Sequence, residues 1–271
     1  MLANISFDID GLWSALNFHG VYSDPYNDYV IEQGVPRLLG LLKRYDIRTT
    51  LFVVGKNVEN YKDLHSQIKE EQEIGNHSYS HPHNLRELTR DDIEKEILKC
   101  HEVIIKNLKV KSQIFRAPTY SINTEVIKIL NKLNYRYDSS VMPAYFPSIT
   151  PFTNLFLERK PYKTDGIFEI PLSVNPLVPI YVNGTTVIAF GIKWLKFSMK
   201  LLNMFNLPLV INFHDRDFVD IPGVLKKQFR RGNIDTMKLV NDAIAYIKRH
   251  AKLTSLEDIG EYYINNITKL Y

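Results

Sequence analysis

The sequence lacks the features typical of disulfide-stabilised, membrane-spanning or nucleic-acid-binding proteins. Cys100 is the only cysteine among 271 residues, so no internal disulfide can form. It lies on an apolar helical stripe, which predicts a buried residue rather than a reactive thiol. No apolar run is long enough to span a bilayer. The excess of basic over acidic residues, 34 against 30, is too small to predict nucleic-acid binding, and no basic patch is interleaved with aromatic residues.

The organisation of the chain indicates one domain. Apolar residues make up 45% and charged residues 24%, which is ordinary for a globular protein. No repeat, low-complexity tract or linker divides the sequence, so we expect a single domain over residues 1–271. Met1 leads directly into a strand pattern without a charged and apolar leader, which predicts a cytoplasmic protein.

Strand and helix patterns alternate along the whole sequence. Short apolar runs predict strands at 5–8, 49–54, 113–115, 135–137, 167–170, 186–190 and 209–213. Helical spacing of apolar residues predicts helices from 36, at 59–72, 89–108, 123–133, 191–205 and 234–250, and from 254, with Pro36, Thr89 and Asn123 as their favourable starts. Residues 142–163, with four prolines, predict an ordered loop. This alternation in one domain predicts a barrel.

Two polar motifs predict a metal site. His77 and His81 are four residues apart, which places both imidazoles on one side of a turn or short helix. Asp8 and Asp10 lie at the end of the first predicted strand. Two histidines and one aspartate suit zinc or a similar divalent metal and leave positions open for water and substrate.

Two further motifs also end predicted strands. Arg116 begins a turn that contains Pro118, and His214 ends an apolar strand. Parallel α/β folds gather their active sites at the carboxyl ends of strands. We therefore expect the four motifs to meet at one edge of the barrel.

The residue types suggest separate chemical roles. Asp8 and Asp10 are two apart and share one strand face, so one can bind metal while the other accepts a proton. Arg116 would hold a neighbouring carboxylate ionised. The turn at Pro118 would expose the N–H of Thr119 or Tyr120 to an oxyanion.

The last motif predicts a general acid. His214 is followed by Asp215 and Asp217, and nearby carboxylates favour the charged form of an imidazole. Asp215 is accordingly expected to tune the site. His83, close after the histidine pair, is a candidate for supporting contacts beside a metal, and Ser78 is expected to orient the turn.

Taken together, these motifs resemble the polysaccharide deacetylase family, also called the NodB-homology or carbohydrate esterase type. The segment 6–11 resembles its Thr-Phe-Asp-Asp-Gly motif with Ile9 inserted between the acids, and 77–81 matches its His-Ser/Thr-x-x-His motif. Residues 116–118 resemble its Arg-Pro-Pro turn, and 212–214 its Leu-x-His end. For the family's Asp-Trp motif the nearest match is Asp138, which has no tryptophan after it. The resemblance runs from about residue 2 to 263.

The resemblance implies a fold and an assignment of roles. The fold would be a distorted (β/α) barrel of about seven strands. Asp10, His77 and His81 would bind a divalent metal, with Zn²⁺ the first choice, and Asp8 would be the general base. Asp138 would tune the site. The activity would be metal-dependent removal of an N-acetyl or N-formyl group from a sugar.

The expected substrate is an N-acylated sugar or a lipid- or nucleotide-linked glycan, as in polysaccharide or glycolipid biosynthesis. Two alternatives stay open: a hydrolase of cyclic amides, like allantoinase or imidase, and a carbohydrate-binding protein with a degenerate site. Lys193, Lys196 and Lys200 share one face of the helix predicted at 191–205, amid aromatic and aliphatic residues. That helix is either an ordinary outer barrel helix or a peripheral membrane contact.

Overall fold

The computed structural model of the protein describes residues 1–23, 25–145, 152–221 and 235–267. In that part of the chain the strands are β1 Leu2–Ile9, β2 Thr50–Val53, β3 Glu73–Asn76, β4 Ile114–Phe115, β5 Tyr137–Asp138, β6 Tyr162–Thr164, β7 Ile167–Glu169, β8 Leu209–His214 and β9 Lys252–Leu253. The α-helices are α1 Gly11–Phe18, α2 Val35–Arg44, α3 Gly55–Asn60, α4 Lys62–Glu71, α5 Arg90–Leu108, α6 Thr124–Lys132, α7 Gly184–Phe190, α8 Ile192–Met204, α9 Thr236–His250 and α10 Leu256–Ile267. Short helical segments are π at Val30–Gly34 and 3₁₀ at Leu85–Glu87, Pro118–Tyr120, Phe152–Phe156 and Asp215–Phe218.

Seven parallel strands form the wall of the barrel in the order β7-β5-β4-β3-β2-β1-β8. Strand β6 is antiparallel to β7, and β9 pairs with β1. Because neighbouring wall strands are parallel, their carboxyl ends all open at the same rim. The motif residues therefore lie at one end of the barrel.

Ser173, just after β7, joins β7 to β8, the two strands at the ends of this wall. The Ser173 N–H donates to the Val210 carbonyl on β8 at 2.9 Å, and the Val210 N–H donates to the Ser173 hydroxyl at 2.8 Å. A side chain thus replaces part of a regular ladder at this seam. The expected distorted (β/α) barrel of about seven strands is confirmed.

Caps and burial follow the sequence closely in the first half of the chain. The Thr89 hydroxyl accepts the Asp92 N–H at the start of α5, and Asn123 accepts the Val126 N–H at the start of α6. Cys100, on the inner side of α5, is fully buried, as expected for a small apolar residue. Within the described ranges, no helix is both long and apolar enough to cross a membrane.

Two sequence expectations about elements differ from the structure. Residues 186–190, expected as a strand, belong to helix α7, because Asn183 and Thr186 form a reciprocal cap that starts a helix there. The helix expected at 59–72 is two helices, α3 and α4, separated at Tyr61. Helix α1 was not expected. The expected start of the next-to-last helix at Ile234 lies outside the described residues.

Candidate active site

The neighbouring strands β1 and β8 bring two motifs into register. Asp8 on β1 pairs with His214 on β8, and Ser6 pairs with Asn212. Since alternate residues of a strand point to the same face, all four side chains share the barrel interior. Asn76 pairs with Phe115 on β4, which places the histidine turn after β3 beside Arg116. The four motifs meet at one rim, as expected.

Asp10, His77 and His81 form a group that could hold a metal ion. One ligand atom from each lies within 4.8 Å of the others, and all three residues are buried. Asp10 Oδ1 is 3.4 Å from His77 Nε2 and 3.6 Å from His81 Nε2. Among the residues that the structure describes, Asp10 Oδ1 and His81 Nδ1 are buried and have no hydrogen-bond partner. The orphaned carboxylate oxygen faces two imidazole nitrogens.

The protonation states of this group fit a cation. His77 Nδ1 is 2.7 Å from the Arg116 carbonyl. A carbonyl only accepts, so Nδ1 carries the proton and Nε2 is turned toward Asp10. Burial lowers the pKa of His81 to about 3, so that imidazole is neutral. Burial would lower the pKa of His77 too, but Asp10 and Asp8 outweigh it and raise that pKa. The pocket therefore favours an added positive charge, and its donors suit a divalent metal.

The histidine turn is held by short hydrogen bonds rather than by a helix. The Ser78 N–H donates to Asn76 Oδ1 at 2.8 Å, and the His81 N–H donates to the Ser78 hydroxyl at 3.1 Å. Ser78 and His81 both have positive φ, 62° and 53°. The expectation that Ser78 orients the turn is confirmed. His83 packs its ring 5.4 Å from the ring of His81 and is about half buried.

Arg116 holds Asp8 inside the barrel. Its Nη1 donates to Asp8 Oδ1 at 2.8 Å and to the Ser6 hydroxyl at 2.8 Å, and its Nε donates to the Ser139 carbonyl at 3.0 Å. The guanidinium is fully buried and stacks 4.1 Å from the centre of the Phe52 ring. Burial alone would raise the pKa of Asp8, but Arg116 and the nearby imidazoles outweigh it and lower that pKa. Asp8 is therefore a buried, ionised carboxylate.

Asn212 and Tyr120 extend this network, although no role was predicted for either side chain. Asn212 Nδ2 donates to Asp8 Oδ2 at 2.9 Å, and the Tyr120 hydroxyl donates to Asn212 Oδ1 at 3.0 Å. The signal for Asn212 was present, because it lies two residues before His214 on the same strand face. The amide fixes the second oxygen of Asp8.

His214 lies between the two carboxylates of the first motif. Its Nε2 is 3.8 Å from Asp8 Oδ2 and 3.7 Å from Asp10 Oδ2. The carboxylates favour its charged form, as expected, but they do not decide its charge state. Burial, followed by Arg216, lowers the pKa of His214 more than Asp10 and Asp8 raise it. The imidazole is neutral near pH 7.

Arg216 and Asp215 support Asp10 from the other side. Arg216 Nη1 is 3.2 Å from Asp10 Oδ2, a contact that the sequence did not predict. Asp215 Oδ2 accepts the Gly11 N–H at 2.8 Å. Burial and the Asp10 charge raise the pKa of Asp215 well above its ordinary value. Asp215 thus fixes the chain just after Asp10.

The turn after Arg116 excludes one of the two backbone N–H groups that were predicted to bind an oxyanion. The Tyr120 N–H donates to the Ala117 carbonyl at 3.0 Å, so it is already used to close the turn. Thr119 has φ 51°, and its hydroxyl donates to the His83 carbonyl at 2.6 Å. The Thr119 N–H stays a prediction, and that of Tyr120 is excluded.

Asp138 lies behind Arg116 in a buried pair with Glu169. The Ser140 hydroxyl donates to Asp138 Oδ1 at 2.6 Å and accepts the Ala117 N–H at 2.8 Å. Burial raises the pKa of both carboxyl groups, that of Glu169 well above its ordinary value, because Asp138 lies beside it. The pair therefore shares a proton. Asp138 reaches the site only through its neighbours.

Comparison with known proteins supports the resemblance seen in the motifs. The model of a family described as polysaccharide deacetylase matches residues 21–137, which include His77, His81 and Arg116. This match confirms that the chain resembles the polysaccharide deacetylase family.

One curated relative that the chain resembles is a peptidoglycan-N-acetylglucosamine deacetylase from Bacillus cereus, 27% identical over 142 residues, or 47% of this chain and 51% of that protein. The match thus spans about half the length of the curated relatives. A candidate polysaccharide deacetylase from Mycobacterium smegmatis has a similar fold, with a TM-score of 0.71 at 19% identity over 96% of this chain and 89% of that one. The allantoinase PuuE is also a relative in fold, with a TM-score of 0.66 at 14% identity over 97% and 89% of the two chains.

Proposed function

We propose that this protein is a metal-dependent hydrolase that removes an N-acetyl or N-formyl group from a sugar, with residues 1–271 forming one catalytic unit. The observation that carries the proposal is the pairing of two sites at one rim. A cation-binding group of Asp10, His77 and His81 lies directly beside an ionised Asp8 that is held by Arg116. Hydrolysis of an amide needs an activated water, a base and an acid, and this rim offers candidates for each.

In this proposal Asp10, His77 and His81 hold the metal, with Zn²⁺ as the first choice because two imidazole nitrogens and one carboxylate suit it. The bound ion would supply Lewis acidity, which polarises the amide carbonyl and acidifies water. The Arg116 carbonyl fixes the His77 tautomer through Nδ1. Arg216 holds the second oxygen of Asp10, so the first oxygen stays aimed at the histidines.

Asp8 acts as the general base. Arg116 and Asn212 each bind one of its oxygens, so the carboxylate cannot rotate freely. Its lowered pKa keeps it ionised at neutral pH and ready to accept a proton from the attacking water. The buried arginine stays charged throughout and stabilises the base rather than donating the proton.

His214 acts as the general acid toward the leaving amine. Because its pKa is lowered, the imidazole begins the cycle neutral and must first gain a proton. Asp8 gains one from water, and its Oδ2 is 3.8 Å from His214 Nε2. The proton can therefore pass from base to acid within the site. The Thr119 N–H is the candidate that would hold the oxyanion.

The resemblance to the family and to its relatives supports the proposed substrate class. The Bacillus cereus relative is named for N-acetylglucosamine in peptidoglycan. We propose an N-acylated sugar, free or in a lipid- or nucleotide-linked glycan, as the substrate of this chain. Hydrolysis gives a free amine and acetate or formate.

An acyl-release assay tests this function. The full chain, loaded with Zn²⁺, is incubated with N-acetylglucosamine oligomers, lipid-linked N-acetyl sugars and allantoin, and acetate and amine are measured. Asp8→Asn is the matched control. Acetate release that depends on metal and on Asp8 supports the proposal. Allantoin opening without acetate release would assign a cyclic-amide hydrolase, and sugar binding without any turnover would assign a binding protein.

A further inference from the structure

Helix α8 carries an outward stripe in which lysines alternate with large apolar residues. Lys193, Phe197, Lys200 and Met204 are all exposed, and at about 100° per residue they fall within roughly 60° of one another. Phe197 is 45% and Met204 65% exposed. The opposite face of the helix, with Leu195, Met199 and Leu202, is buried in the core. Apolar residues therefore occupy the solvent face as well as the core face.

The apolar surface extends beyond α8. The rings of Phe190 and Trp194 are 5.9 Å apart, and those of Trp194 and Phe197 are 6.3 Å apart, so three aromatic side chains form one row. Phe190 is 59% exposed. A connected apolar patch of this kind marks an interaction surface.

The charged residues between Glu169 and Asp215 are all lysines. Between Glu169 and Asp215 the sequence contains no aspartate or glutamate, although it contains three lysines on α8. Glu169 and Asp215 are themselves fully buried. The segment therefore presents exposed positive charge beside aromatic and aliphatic side chains, with no acid of its own to neutralise it.

We propose that the outer face of α8, with Phe190, binds the surface of an anionic phospholipid bilayer. Apolar side chains of an interfacial helix enter the boundary between headgroups and acyl chains, while lysines reach the phosphates. The alternation along the stripe places every apolar side chain next to a cation. A bilayer of negative charge complements both components at once. The inference stands independently of the proposed catalytic function.

Vesicle binding by the full chain tests the charge component. Binding is measured to vesicles of phosphatidylcholine alone and of equal parts of phosphatidylcholine and phosphatidylglycerol. Each lysine near an anionic surface contributes about fivefold in partition. The double variant Lys193→Glu and Lys200→Glu should therefore lose at least about 25-fold in partition to anionic vesicles. The matched control is Lys106→Glu with Lys128→Glu, two exposed lysines on α5 and α6, and it should bind nearly as the wild type does.

Tryptophan fluorescence locates the contact. The chain has two tryptophans, and Trp13 is 3% exposed with its N–H bonded to Asn57 at 2.8 Å. Trp194 lies in the aromatic row of the proposed face. Brominated lipids in the anionic vesicles should quench the emission of the wild type, and Trp194→Phe should remove that quenching.

Four results would overturn the proposal. They are no partition to either vesicle, equal partition to both, equal loss in the two double variants, and quenching that persists in Trp194→Phe. A dimer in sedimentation that Phe197→Ser with Met204→Ser converts to a monomer, without vesicle binding, would assign the face to a second copy of the chain. Ile105→Ser with Met237→Ser, at exposed apolar positions on α5 and α9, controls for a general loss of surface hydrophobicity.

Discussion

Asp8 and His214 are register partners on adjacent parallel strands, and their side chains face each other with Oδ2 and Nε2 3.8 Å apart. They are separated by more than 200 residues in the sequence, yet one strand pairing sets their distance. A base and an acid held by neighbouring strands cannot drift apart as loops can. The pairing explains how the barrel places two proton-transfer candidates on one side of the cation-binding group.

Replacement of His77 or His81 by alanine should abolish metal binding. Each change removes one of three donor atoms from a group within 4.8 Å, and an aspartate with one imidazole holds a divalent ion far less tightly. Metal content after gel filtration measures the effect. His83→Ala is the control, because His83 lies beside His81 but outside the group, and should keep its metal. Full occupancy in both His variants would exclude this ligand set.

The two aspartates should separate by their effects on metal and on activity. Asp8→Asn should keep the metal and lower kcat by roughly 10²–10⁴-fold, because it removes the proton-accepting carboxylate but none of the three side chains of the cation-binding group. Asp10→Asn should lose the metal, because Asp10 Oδ1 faces both histidines. Metal content and acetate release are measured on the same samples. The reverse pattern would show that the two roles are exchanged.

The His214→Ala variant should keep the metal and lose amide hydrolysis by roughly 10²–10⁴-fold. An activated ester of the same sugar needs less protonation of its leaving group, so its hydrolysis should fall much less. The comparison is made by kcat for both substrates. Equal losses on amide and ester, or loss of the metal, would remove His214 from the general-acid role.

The raised pKa of Glu73, a residue outside the site, predicts that the stability of the protein depends on pH. Burial, and then the charge of Glu257, raise the pKa of Glu73 to about 7. The folded state thus binds a proton that the unfolded state has already released at lower pH. Stability should fall as pH rises from about 4.3 to about 7, by roughly 3 kcal/mol from this group, and level off above that.

The Glu73→Gln variant should lose this component of the pH dependence, because the amide carries no titrating proton. Urea unfolding at about pH 5 and about pH 8 measures the difference between the two proteins. A free energy of unfolding that falls equally in both would assign the pH dependence to other groups. Glu257→Gln, which removes the neighbouring charge together with the raised pKa of Glu257 itself, should reduce the effect without abolishing it.

The sequence predicted the site better than its surroundings. His77, His81, Asp10 and Arg116 were all named from short motifs, because their spacing and strand-end positions have few structural solutions. Arg216 was missed, because a contact across the rim to Asp10 depends on side-chain direction, which spacing does not encode. The prediction that His214 is charged was wrong for a related reason. Motifs reveal neighbouring charges but not how deeply a residue is buried.

The fold shows the same division. Helices α5 and α6 in the first half follow from clear periodicity and caps, at Thr89 and Asn123, whereas strand β3 was not among the predicted strand ranges. A strand is predicted at residues 186–190 because Thr186, Val187 and Ile188 are β-branched. The cap at Asn183 decided for a helix instead. Local capping outweighed side-chain propensity there.

Arg116 constrains how this protein can change over evolutionary time. Its guanidinium is buried against Ser6, Asp8 and Ser139, so loss of Asp8 alone would leave an uncompensated charge at a cost of about 3–5 kcal/mol. That is a large part of the stability of an ordinary domain. A lineage cannot readily lose the carboxylate while it keeps the arginine. The two positions should therefore covary, and a descendant that abandons the carboxylate should replace Arg116 in the same step or beforehand.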